Sequence, residues 1–382
     1  MKKIISVAFA AMMAASLAAC GGSSTTATTA AATTAAAATT AAAATTKAAE
    51  TTAAATTAAA ATTAAAATTA AAGGVQASGK TKKLASADVN GDGKIIVGYI
   101  SKNLTDPFHA PINDYATKTL DKMKADKKID DWTGILDGET DPNKQIDRAD
   151  ECITKKCDFV LFLPAESEAS DPALTKMVDA GIQVIVVNSK TTSTDAKALA
   201  YCGSDDVQAG TMLADWVLKN CPKGGKYVHC TGILGNSAQI QRGQGIEKIM
   251  KDHPEFEKVA EPDTQWKGDL AANATTDAIN KYGKDLVAVI CDNDDMSSAA
   301  QRAANDAGRK DIVCVGVDGN QNPLQMIKNG ELGATVLQNG VGQIGAGIDI
   351  ISAALDGKEF DTAPVIPFVL ITKDNVDQYL KK

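Results

Sequence analysis

The fold class can be predicted from DFVLFLPAESEASDPALTKMVDAGIQVIVVN, residues 158–188. It begins with an almost uninterrupted apolar run, DFVLFL (158–163), and ends with a second one, QVIVVN (183–188). Between them, DPALTKMVDAG (171–181) has the spacing of an amphipathic helix and stops at a glycine. Two continuous apolar runs separated by a helix predict parallel strands buried on both faces, and therefore an α/β fold.

The same alternation of strand-like runs and helical patterns extends over the rest of the chain. Ten strand-like runs are more than one compact doubly wound sheet usually holds, so we predict two doubly wound parallel sheets of about five strands each. The other eight runs are KIIVGYI (94–100), WTGILDG (132–138), ALAYCG (198–203), KYVHCTG (226–232), FEKVAEP (256–262), LVAVICD (286–292), IVCVGVD (312–318) and GATVLQN (333–339).

Residues 1–20 have the layout of an export signal. Lys2 and Lys3 give a positive start, an apolar core follows, and LAAC (17–20) ends it. LAAC resembles the lipobox of bacterial lipoproteins, which implies that Cys20 is lipid-modified and holds the protein on the outer face of the cytoplasmic membrane. The alternative is a cleaved signal peptide with a chance cysteine.

Residues 21–92 are predicted to form a disordered tether. From Ser23 to Ala72 the chain is almost only Ala and Thr, without any aromatic residue, Val, Ile or Leu. Such a segment cannot bury a core that would offset the loss of chain entropy on folding. A tether of this length suits a folded head held away from a membrane.

The charge of the head excludes two classes of partner. The chain has a net charge of −8, and residues 1–92 contain six basic and three acidic residues, which leaves −11 for the remainder. An acidic head argues against binding nucleic acid or an anionic bilayer. Beyond Cys20, seven cysteines show no metal-type spacing; most are predicted to be buried thiols, although export permits a disulfide.

The residues that follow the predicted strands are rich in amides and carboxylates. In parallel α/β sheets, ligands bind beyond the carboxyl ends of the strands. These positions hold groups that hydrogen-bond hydroxyls, but the chain has no Ser-His-Asp arrangement, HExxH motif, P-loop or Cys/His metal set. We therefore predict a binding site for a polyol and no enzyme activity, cofactor or metal.

Two motifs could suggest a nucleotide or a calcium ion as ligand. Gly340-Val-Gly-Gln-Ile-Gly345 matches GxGxxG, but it lies too near the C-terminus for a nucleotide-binding half to follow, and we interpret it as a glycine-rich helix start. DVNGDGKI (88–95) matches the first half of a calcium loop, but position 12 is Tyr99 instead of a bidentate Glu. A polar turn that enters the fold is the favoured interpretation.

Seven short motifs, in this order over about 290 residues, resemble the sugar-binding proteins of bacterial ABC importers, of the ribose and glucose/galactose type. The motifs are DPF (106–108), VVNSK (186–190), GNSAQIQRGQG (235–245), Trp266, CDNDDM (291–296), GVDG (316–319) and TVLQN (335–339). The resemblance implies a type I periplasmic binding protein fold, in which two lobes joined by three crossings close on one ligand. The implied N-terminal lobe is 93–203 plus 339–368, and the C-terminal lobe is 204–338 plus 369–382.

The resemblance also implies the ligand-binding residues. Phe108 and Trp266 match the two stacking rings, and Arg242 matches an arginine under the ring hydroxyls. The remaining polar contacts fall on Asp106, Asn188, Asn293, Asp318 and Gln338. The set is coherent for a pyranose, because the rings suit its C–H faces while arginine donates, carboxylates accept, and amides do both.

Asp106, Asn188 and Trp266 together are nearer the glucose/galactose pattern than the ribose pattern. The expected ligand is therefore an aldohexose such as galactose or glucose, and the expected partner is an ABC permease, with the protein a monomer. Asn236 and Ala238 replace a histidine and an aspartate of that subgroup, and His109 replaces a second ring, which leaves the epimer open. The alternative is a sensor or binder of another small polar ligand (a pentose, a polyol or a signalling furanose) that couples to a receptor.

Overall fold

The structure is a computed structural model and describes residues 74–381. The predicted signal peptide with Cys20, and the tether up to residue 73, lie outside the described residues. The strands of the described part are β1 Thr81–Lys82, β2 Ile96–Ser101, β3 Asp131–Asp137, β4 Phe159–Phe162, β5 Gln183–Val187, β6 Ala200–Cys202, β7 Gly225–Cys230, β8 Phe256–Ala260, β9 Leu286–Cys291, β10 Val313–Asp318, β11 Ala334–Leu337, β12 Phe360–Asp361 and β13 Val369–Ile371.

Helices lie between most of the strands, as the amphipathic patterns predict. They are α1 His109–Ala125, α2 Pro142–Thr154, α3 Asp171–Asp179, α4 Thr194–Lys197, α5 Asp206–Asn220, α6 Ser237–Met250, α7 Gly268–Tyr282, α8 Asp294–Asp306, α9 Gln321–Asn329 and α10 Gly340–Leu355. Among residues 74–381, none of these helices is both long enough and apolar enough to cross a membrane.

The first sheet is parallel and has the strand order β3-β2-β4-β5-β6. The stretch at 158–188 supplies β4, α3 and β5, and the register pairs Phe159 with Gln183 and Phe162 with Val186. All four residues of β4 are buried, because helices cover both faces of the sheet. The parallel α/β prediction is confirmed.

The second sheet has six strands in the order β13-β11-β10-β9-β7-β8. Five are parallel and were predicted, whereas β13 lies antiparallel to β11 at the edge. β13 has only three residues, too few to produce a recognisable apolar pattern. The prediction of about five strands is therefore one strand short here.

The chain passes between the two sheets three times. It leaves the first sheet after β6, returns with α10 after β11, and ends with β13 in the second sheet. Ile344, Ile348 and Ile351 of α10 belong to the core of the first sheet. We call β2–β6 with α1–α4 and α10 the first lobe, and β7–β11 and β13 with α5–α9 the second lobe.

Part of the segment assigned to the tether lies on the first lobe. β1 pairs antiparallel with β12, and Gln76 exchanges backbone hydrogen bonds of 2.8 and 2.9 Å with Val365. Leu84 and Ala87 pack against the core of the first lobe. The structure thus adds residues 76–92 to the surface of the head.

The GxGxxG motif at 340–345 and the partial calcium-loop motif at 88–95 both have structural roles. Asn339 caps α10 by accepting a hydrogen bond from the Gly342 amide (2.8 Å), and a Cβ on Gly340 would meet the Ile112 side chain at 2.5 Å. In the turn before β2, Asp88 accepts hydrogen bonds from the amides of Gly91 (2.7 Å) and Gly93 (2.9 Å). The first motif lets α10 pack closely on α1, and the second stabilises a turn.

All seven cysteines of the described part are free thiols. Cys221 is half-buried and the other six are buried, in strands or against them. Burial raises the pKa of the Cys221 thiol, which keeps it protonated at neutral pH.

Candidate functional site

All eight side chains predicted from the sequence to bind ligand line one cavity between the two lobes. The cavity lies at the carboxyl ends of both sets of parallel strands. The first lobe supplies Asp106, Phe108 and Asn188, and the second supplies Arg242, Trp266, Asn293, Asp318 and Gln338. Lys102, His109, Ser189, Asn236 and Ala238 complete the lining.

The DPF turn connects β2 to α1 and sets the position of Asp106. The Asp106 amide donates to Asn103 Oδ1 (2.9 Å), and Asp106 Oδ1 accepts from the Phe108 amide (2.8 Å). His109 Nδ1 lies 3.3 Å from Asp106 Oδ2. Burial raises the pKa of Asp106, but the adjacent His109 ring and the charge of Lys102 outweigh this effect and lower the pKa to about 2. Asp106 is therefore an ionised acceptor at the cavity.

Phe108 has a double role. Its ring lines the cavity, but the side chain is 8% exposed and belongs to the core of the first lobe. A Cβ on Gly340 would lie 2.9 Å from the Phe108 ring, so the start of α10 packs directly on it. Its position is consequently fixed by the fold.

Asn188 is held by the returning helix α10. Its Nδ2 donates to Gln343 Oε1 (3.0 Å), and Gln343 Nε2 donates to Ser204 Oγ (2.9 Å). The backbone carbonyl of Asn188 accepts from the Tyr201 hydroxyl (2.8 Å). These bonds fix the amide, while its Oδ1 accepts only a long contact from Ser189 Oγ (3.3 Å).

Arg242 lies on α6 and is anchored within the second lobe. It donates through Nε to Asp206 Oδ1 (2.9 Å), through Nη2 to Gln338 Oε1 (3.1 Å), and through Nη1 to the Asp292 carbonyl. Because arginine has five N–H donors, donors remain for a ligand. Both Arg242 and Asp206 are almost fully buried. Burial raises the pKa of Asp206, and the Arg242 charge opposes that rise.

Trp266 and Asn293 are positioned together. Asn293 Oδ1 caps α8 by accepting from the Met296 amide (3.0 Å), and Asn293 Nδ2 donates to the Trp266 carbonyl (3.2 Å). The Trp266 ring packs against Gly232, where a Cβ would lie only 2.2 Å from it. The cations Lys102 and Arg242 lie 5.1 and 5.8 Å from the ring centroid. An electron-rich ring beside two cations is a favourable cation–π arrangement.

Asp318 stands at the end of β10 beside a second buried acid, Asp294. Asp294 Oδ2 accepts from the amides of Gly319 and Asn320 (both 2.9 Å), and Asn320 Nδ2 donates to Asp318 Oδ2 (3.2 Å). Burial raises the pKa of Asp294 to about 7. Burial, followed by the charges of Asp294 and Asp106, raises the pKa of Asp318 well above its usual range.

Three residues that line this cavity have a strained backbone. Asn188, Trp266 and Asp318 have φ angles of 71°, 64° and 141°, in a region that non-glycine residues seldom adopt. Strained residues of this kind cluster at ligand sites, where the surrounding structure holds a side chain in a required direction. Three of the eight predicted residues show this feature.

Several buried polar atoms at the cavity have no hydrogen-bond partner within residues 74–381. They are both ring nitrogens of His109, Trp266 Nε1 and Gln338 Nε2. A buried, unpaired polar atom costs about 1–3 kcal/mol. Four such atoms, on three side chains of one cavity, are typical of a site that a polar ligand completes.

The lobes touch at the rim of the cavity. The Ser167 amide donates to the Gly235 carbonyl (2.9 Å), and Asn236 Nδ2 donates to the Ala165 carbonyl (2.7 Å). Each bond joins a loop of the first lobe to the β7–α6 loop of the second. The structure is therefore a closed form.

Sequence reasoning missed two residues, Lys102 and Asp206. Lys102 directly follows β2, so the rule that placed Asp106 at a strand end could also have identified it. Asp206 carried no signal, because only the packing of α5 on α6 brings it to Arg242. It was left unassigned, although it is the carboxylate that pairs with Arg242.

The groups that line the cavity are suited to binding a small polar ligand. Aromatic faces, carboxylate acceptors and amide groups converge on one cavity, the combination that small-molecule sites use. Among the described residues, no cluster of three or more His, Cys, Asp or Glu side chains could hold a metal ion.

The chain is similar in sequence to one family of known proteins and to several individual relatives. Residues 97–359 match the family described as periplasmic binding protein domain. The xylitol-binding protein of Mycolicibacterium smegmatis is 31% identical over 237 residues, which are 62% of this chain and 67% of that protein. The ribose import binding protein of Salmonella typhimurium is 27% identical over 290 residues, or 76% of this chain and 94% of that protein.

Solved structures with a similar fold include solute-binding proteins as well. An ABC transporter solute-binding protein from Bacillus halodurans with bound myo-inositol superposes with a TM-score of 0.69 and 26% identity, covering 76% of this chain and 98% of its own. The myo-inositol binding protein of Caulobacter superposes with a TM-score of 0.65 and 28% identity, covering 75% and 96%.

Proposed function

The chain belongs to the periplasmic binding protein family, and from that membership we propose that it is the sugar-binding component of a bacterial ABC importer. It captures one small polyhydroxylated molecule outside the cytoplasmic membrane and presents it to a permease. The protein performs no chemistry on this ligand and needs no cofactor.

The observation that carries the proposal is the set of unpaired groups at the closed cavity. Trp266 Nε1 and Gln338 Nε2 are donors without a partner in the described part of the chain, and Asp106 is an ionised acceptor beside them. A molecule with several hydroxyl groups can accept from the first two and donate to the third. A wrong epimer would leave one such group unpaired, at a cost of about 1–3 kcal/mol.

The ligand is proposed to be an aldohexose such as galactose or glucose. Support comes from two aromatic side chains, Phe108 and Trp266, at opposite lobes of the cavity, because flat rings suit the C–H faces of a pyranose. Polyols are the second candidate class, since the relatives include a xylitol-binding protein and a structure with bound myo-inositol.

The remaining parts of the proposal concern the arrangement of the chain. A lipid on Cys20 would anchor the protein, the tether would span the distance to the head, and the lobes would divide at 93–203 plus 339–368 and 204–338 plus 369–382. The expected form is a monomer at the outer face of the membrane. A receptor in place of the permease is the alternative partner.

Titration calorimetry tests the function. The purified protein is titrated with galactose, glucose, ribose, xylitol and myo-inositol. We expect one of the hexoses to bind with a stoichiometry of one. The melting temperature of the protein should rise with the concentration of that sugar, because a 100-fold excess of free ligand over Kd stabilises the folded protein by about 2.7 kcal/mol. Preference for xylitol or myo-inositol would replace the hexose by a polyol, and binding to none of the five would contradict the proposed function.

A further inference from the structure

His229 is a buried, titratable side chain that does not line the cavity. It lies in β7, between the neighbouring strands β8 and β9, and is only 1% exposed. Each ring nitrogen faces a carboxylate just beyond the end of a neighbouring strand. Nδ1 lies 2.8 Å from Glu261 Oε1, after β8, and Nε2 lies 2.9 Å from Asp292 Oδ1, after β9. His229 therefore connects the carboxyl ends of three strands.

The two partners decide how many protons the His229 ring carries. An ionised carboxylate only accepts hydrogen bonds, so both ring nitrogens must be protonated for both bonds to form. Burial lowers the pKa of His229, but the charges and hydrogen bonds of Asp292 and Glu261 outweigh it and raise the pKa to about 9. A neutral ring has a single N–H, so one of the two bonds would then be lost.

Asp292 connects His229 to two parts of the cavity wall. Its Oδ2 accepts from the Gly232 amide (2.9 Å), and its backbone carbonyl accepts from Arg242 Nη1. The Trp266 ring lies against Gly232, where a Cβ would be 2.2 Å from it. Without the bond from His229, the buried Asp292 carboxylate would keep the Gly232 amide as its only hydrogen-bond donor within residues 74–381.

Glu261 connects His229 to the loop that carries Trp266. It is the first residue of this loop, which lies between β8 and α7. The loop is also bonded to the chain just after β7, because the Thr264 amide donates to the Thr231 carbonyl (3.0 Å). The bond from His229 thus fixes the start of the loop against the sheet.

Arg242 and Trp266 are both supported from behind by the same histidine. We propose that His229, protonated on both ring nitrogens, is a positioning residue of the ligand site. It holds the Trp266 ring and the Arg242 side chain in place for a ligand that it does not itself touch. The inference rests on the proposed function and adds a residue outside the cavity on which ligand affinity depends.

The pH dependence of affinity separates positioning from a merely structural role. Affinity should fall as the pH rises through about 9, where His229 loses its charge. The charged groups on the elements packed against His229 are Asp292 after β9, Lys258 and Glu261 in and after β8, and Arg242 and Glu247 of α6.

Two other groups titrate at somewhat lower pH. Burial lowers the pKa of Lys102, which lines the cavity, to about 8, and raises the pKa of Asp294 to about 7. Both groups remain in a variant of His229. The difference between the profiles of the variant and the wild type therefore isolates the histidine.

The experiment is titration calorimetry of the protein between about pH 7 and 10. The probe is whichever of galactose, glucose, ribose, xylitol and myo-inositol binds the wild type most tightly. The variants are His229→Gln and Glu261→Gln. Their matched controls are His253→Gln, at an exposed histidine that also pairs with a glutamate, and Glu257→Gln, at an exposed glutamate of β8 that pairs with Lys226.

We expect His229→Gln to bind the probe about 5-fold or more weakly at pH 7, the equivalent of one lost hydrogen bond, and to lack the fall near pH 9. Glu261→Gln removes one of the two charges that raise the pKa of His229, so the midpoint of the fall should move to lower pH. Both controls should keep the affinity and the midpoint of the wild type.

Nuclear magnetic resonance of histidine-labelled protein gives an independent readout. Coupling between two binding events is reciprocal, so if the protonated ring favours the ligand, saturating ligand must raise the pKa of His229. The signal is assigned by its loss in His229→Gln. The pKa of His253 should not respond to the ligand.

Equal affinity of His229→Gln and the wild type at pH 7, or a fall near pH 9 that the variant retains, would overturn the inference and leave the proposed function intact. Weaker binding by His229→Gln without any shift of the midpoint in Glu261→Gln would also overturn it, since the histidine would then be structural only. If His229→Gln does not fold, the midpoint of Glu261→Gln and the resonance titration decide. Binding of none of the five compounds by the wild type would overturn the proposed function as well.

Discussion

At the scale of single residues, Trp266 offers a ligand both a face and a donor. The ring lines the cavity and its Nε1 is buried without a partner among the described residues. Trp266→Phe keeps an aromatic face and removes the donor, which should weaken ligand binding about 5- to 10-fold, the equivalent of one hydrogen bond of about 1 kcal/mol. Trp266→Ala removes both and should weaken it further, by about 0.5–1.5 kcal/mol for the lost stacking.

Calorimetry on the two variants separates these contributions. The unfolding free energy of ligand-free Trp266→Phe serves as control, because it measures any packing lost beside Gly232 separately from ligand binding. Unchanged affinity in both variants would place the ligand away from this ring.

His229 is a buried histidine that links the second sheet to the cavity wall. Its Nδ1 lies 2.8 Å from Glu261 Oε1 and its Nε2 2.9 Å from Asp292 Oδ1. The backbone carbonyl of Asp292 accepts from Arg242. Burial lowers the pKa of His229, but the charge and hydrogen bond of Asp292 and those of Glu261 outweigh it and raise the pKa to about 9.

A histidine whose pKa is raised in the folded state stabilises the fold fully below its unfolded pKa and loses this contribution as the pH rises through the folded value. Unfolding in denaturant should therefore show a loss on the order of 3 kcal/mol between about pH 6.5 and 9. His229→Gln should remove most of this dependence. The exposed His253, which pairs with Glu255, is the matched control, and His253→Gln should retain it. A profile unaffected by His229→Gln would refute the charged state of this histidine.

At the scale of elements, the contact of α5 with α6 positions Arg242. The two helices meet at glycines: a Cβ on Gly245 would lie 2.2 Å from the Val207 carbonyl and 2.9 Å from Gly210 Cα. Close approach of the backbones brings Asp206 of α5 to Arg242 of α6. Small residues at this crossing therefore serve the ligand site indirectly.

Gly245→Ala should force the helices apart, lowering the unfolding free energy by about 1–3 kcal/mol and weakening ligand binding through the displaced Arg242. The control is Gly243→Ala on the same helix, where a Cβ meets only His229 Cε1 at 3.6 Å. That variant should gain about 0.5–1 kcal/mol, because alanine favours a helix over glycine. Denaturant unfolding and calorimetry measure both quantities, and similar effects of the two variants would contradict close packing at Gly245.

At the scale of the whole molecule, the closed form depends on bonds between the lobes. Asn236 donates to the Ala165 carbonyl across the rim and caps α6 through its Oδ1, which accepts from the Ala238 amide (3.0 Å). Both ends of its side chain are thus used within the protein. Its effect on binding should come through closure.

Asn236→Ala should increase the rate of ligand dissociation about 5-fold, the equivalent of one lost hydrogen bond of about 1 kcal/mol. Asp141→Ala removes a comparable cap, at the start of α2, without any bond between lobes. Both variants should lose about 0.5–2 kcal/mol of stability, but only the first should release ligand faster in stopped-flow fluorescence. Equal dissociation rates would mean that this bond does not hold the closed form.

The sequence was sufficient for the ten parallel strands of the two sheets, because strands buried on both faces must be apolar along their whole length, as β4 is. It also identified most of the cavity lining. The carboxyl ends of parallel strands meet at one edge of a sheet, so Asp106, Asn293 and Asp318, which the resemblance implied as ligand-binding residues, were also expected at that edge from their places near strand ends.

The pairing and the charge of these residues, by contrast, depend on the tertiary structure. The pairing of Asp206 with Arg242 depends on two helices that meet at glycines. The short strands β1 and β13 form only because they lie beside β12 and β11, with which they pair. Lys102 looks like an ordinary charged residue in the sequence, and its burial beside Trp266 requires both lobes. Local patterns determine which elements form, because burial has a period along the chain, whereas a pKa or a hydrogen bond depends on distances between residues far apart in sequence.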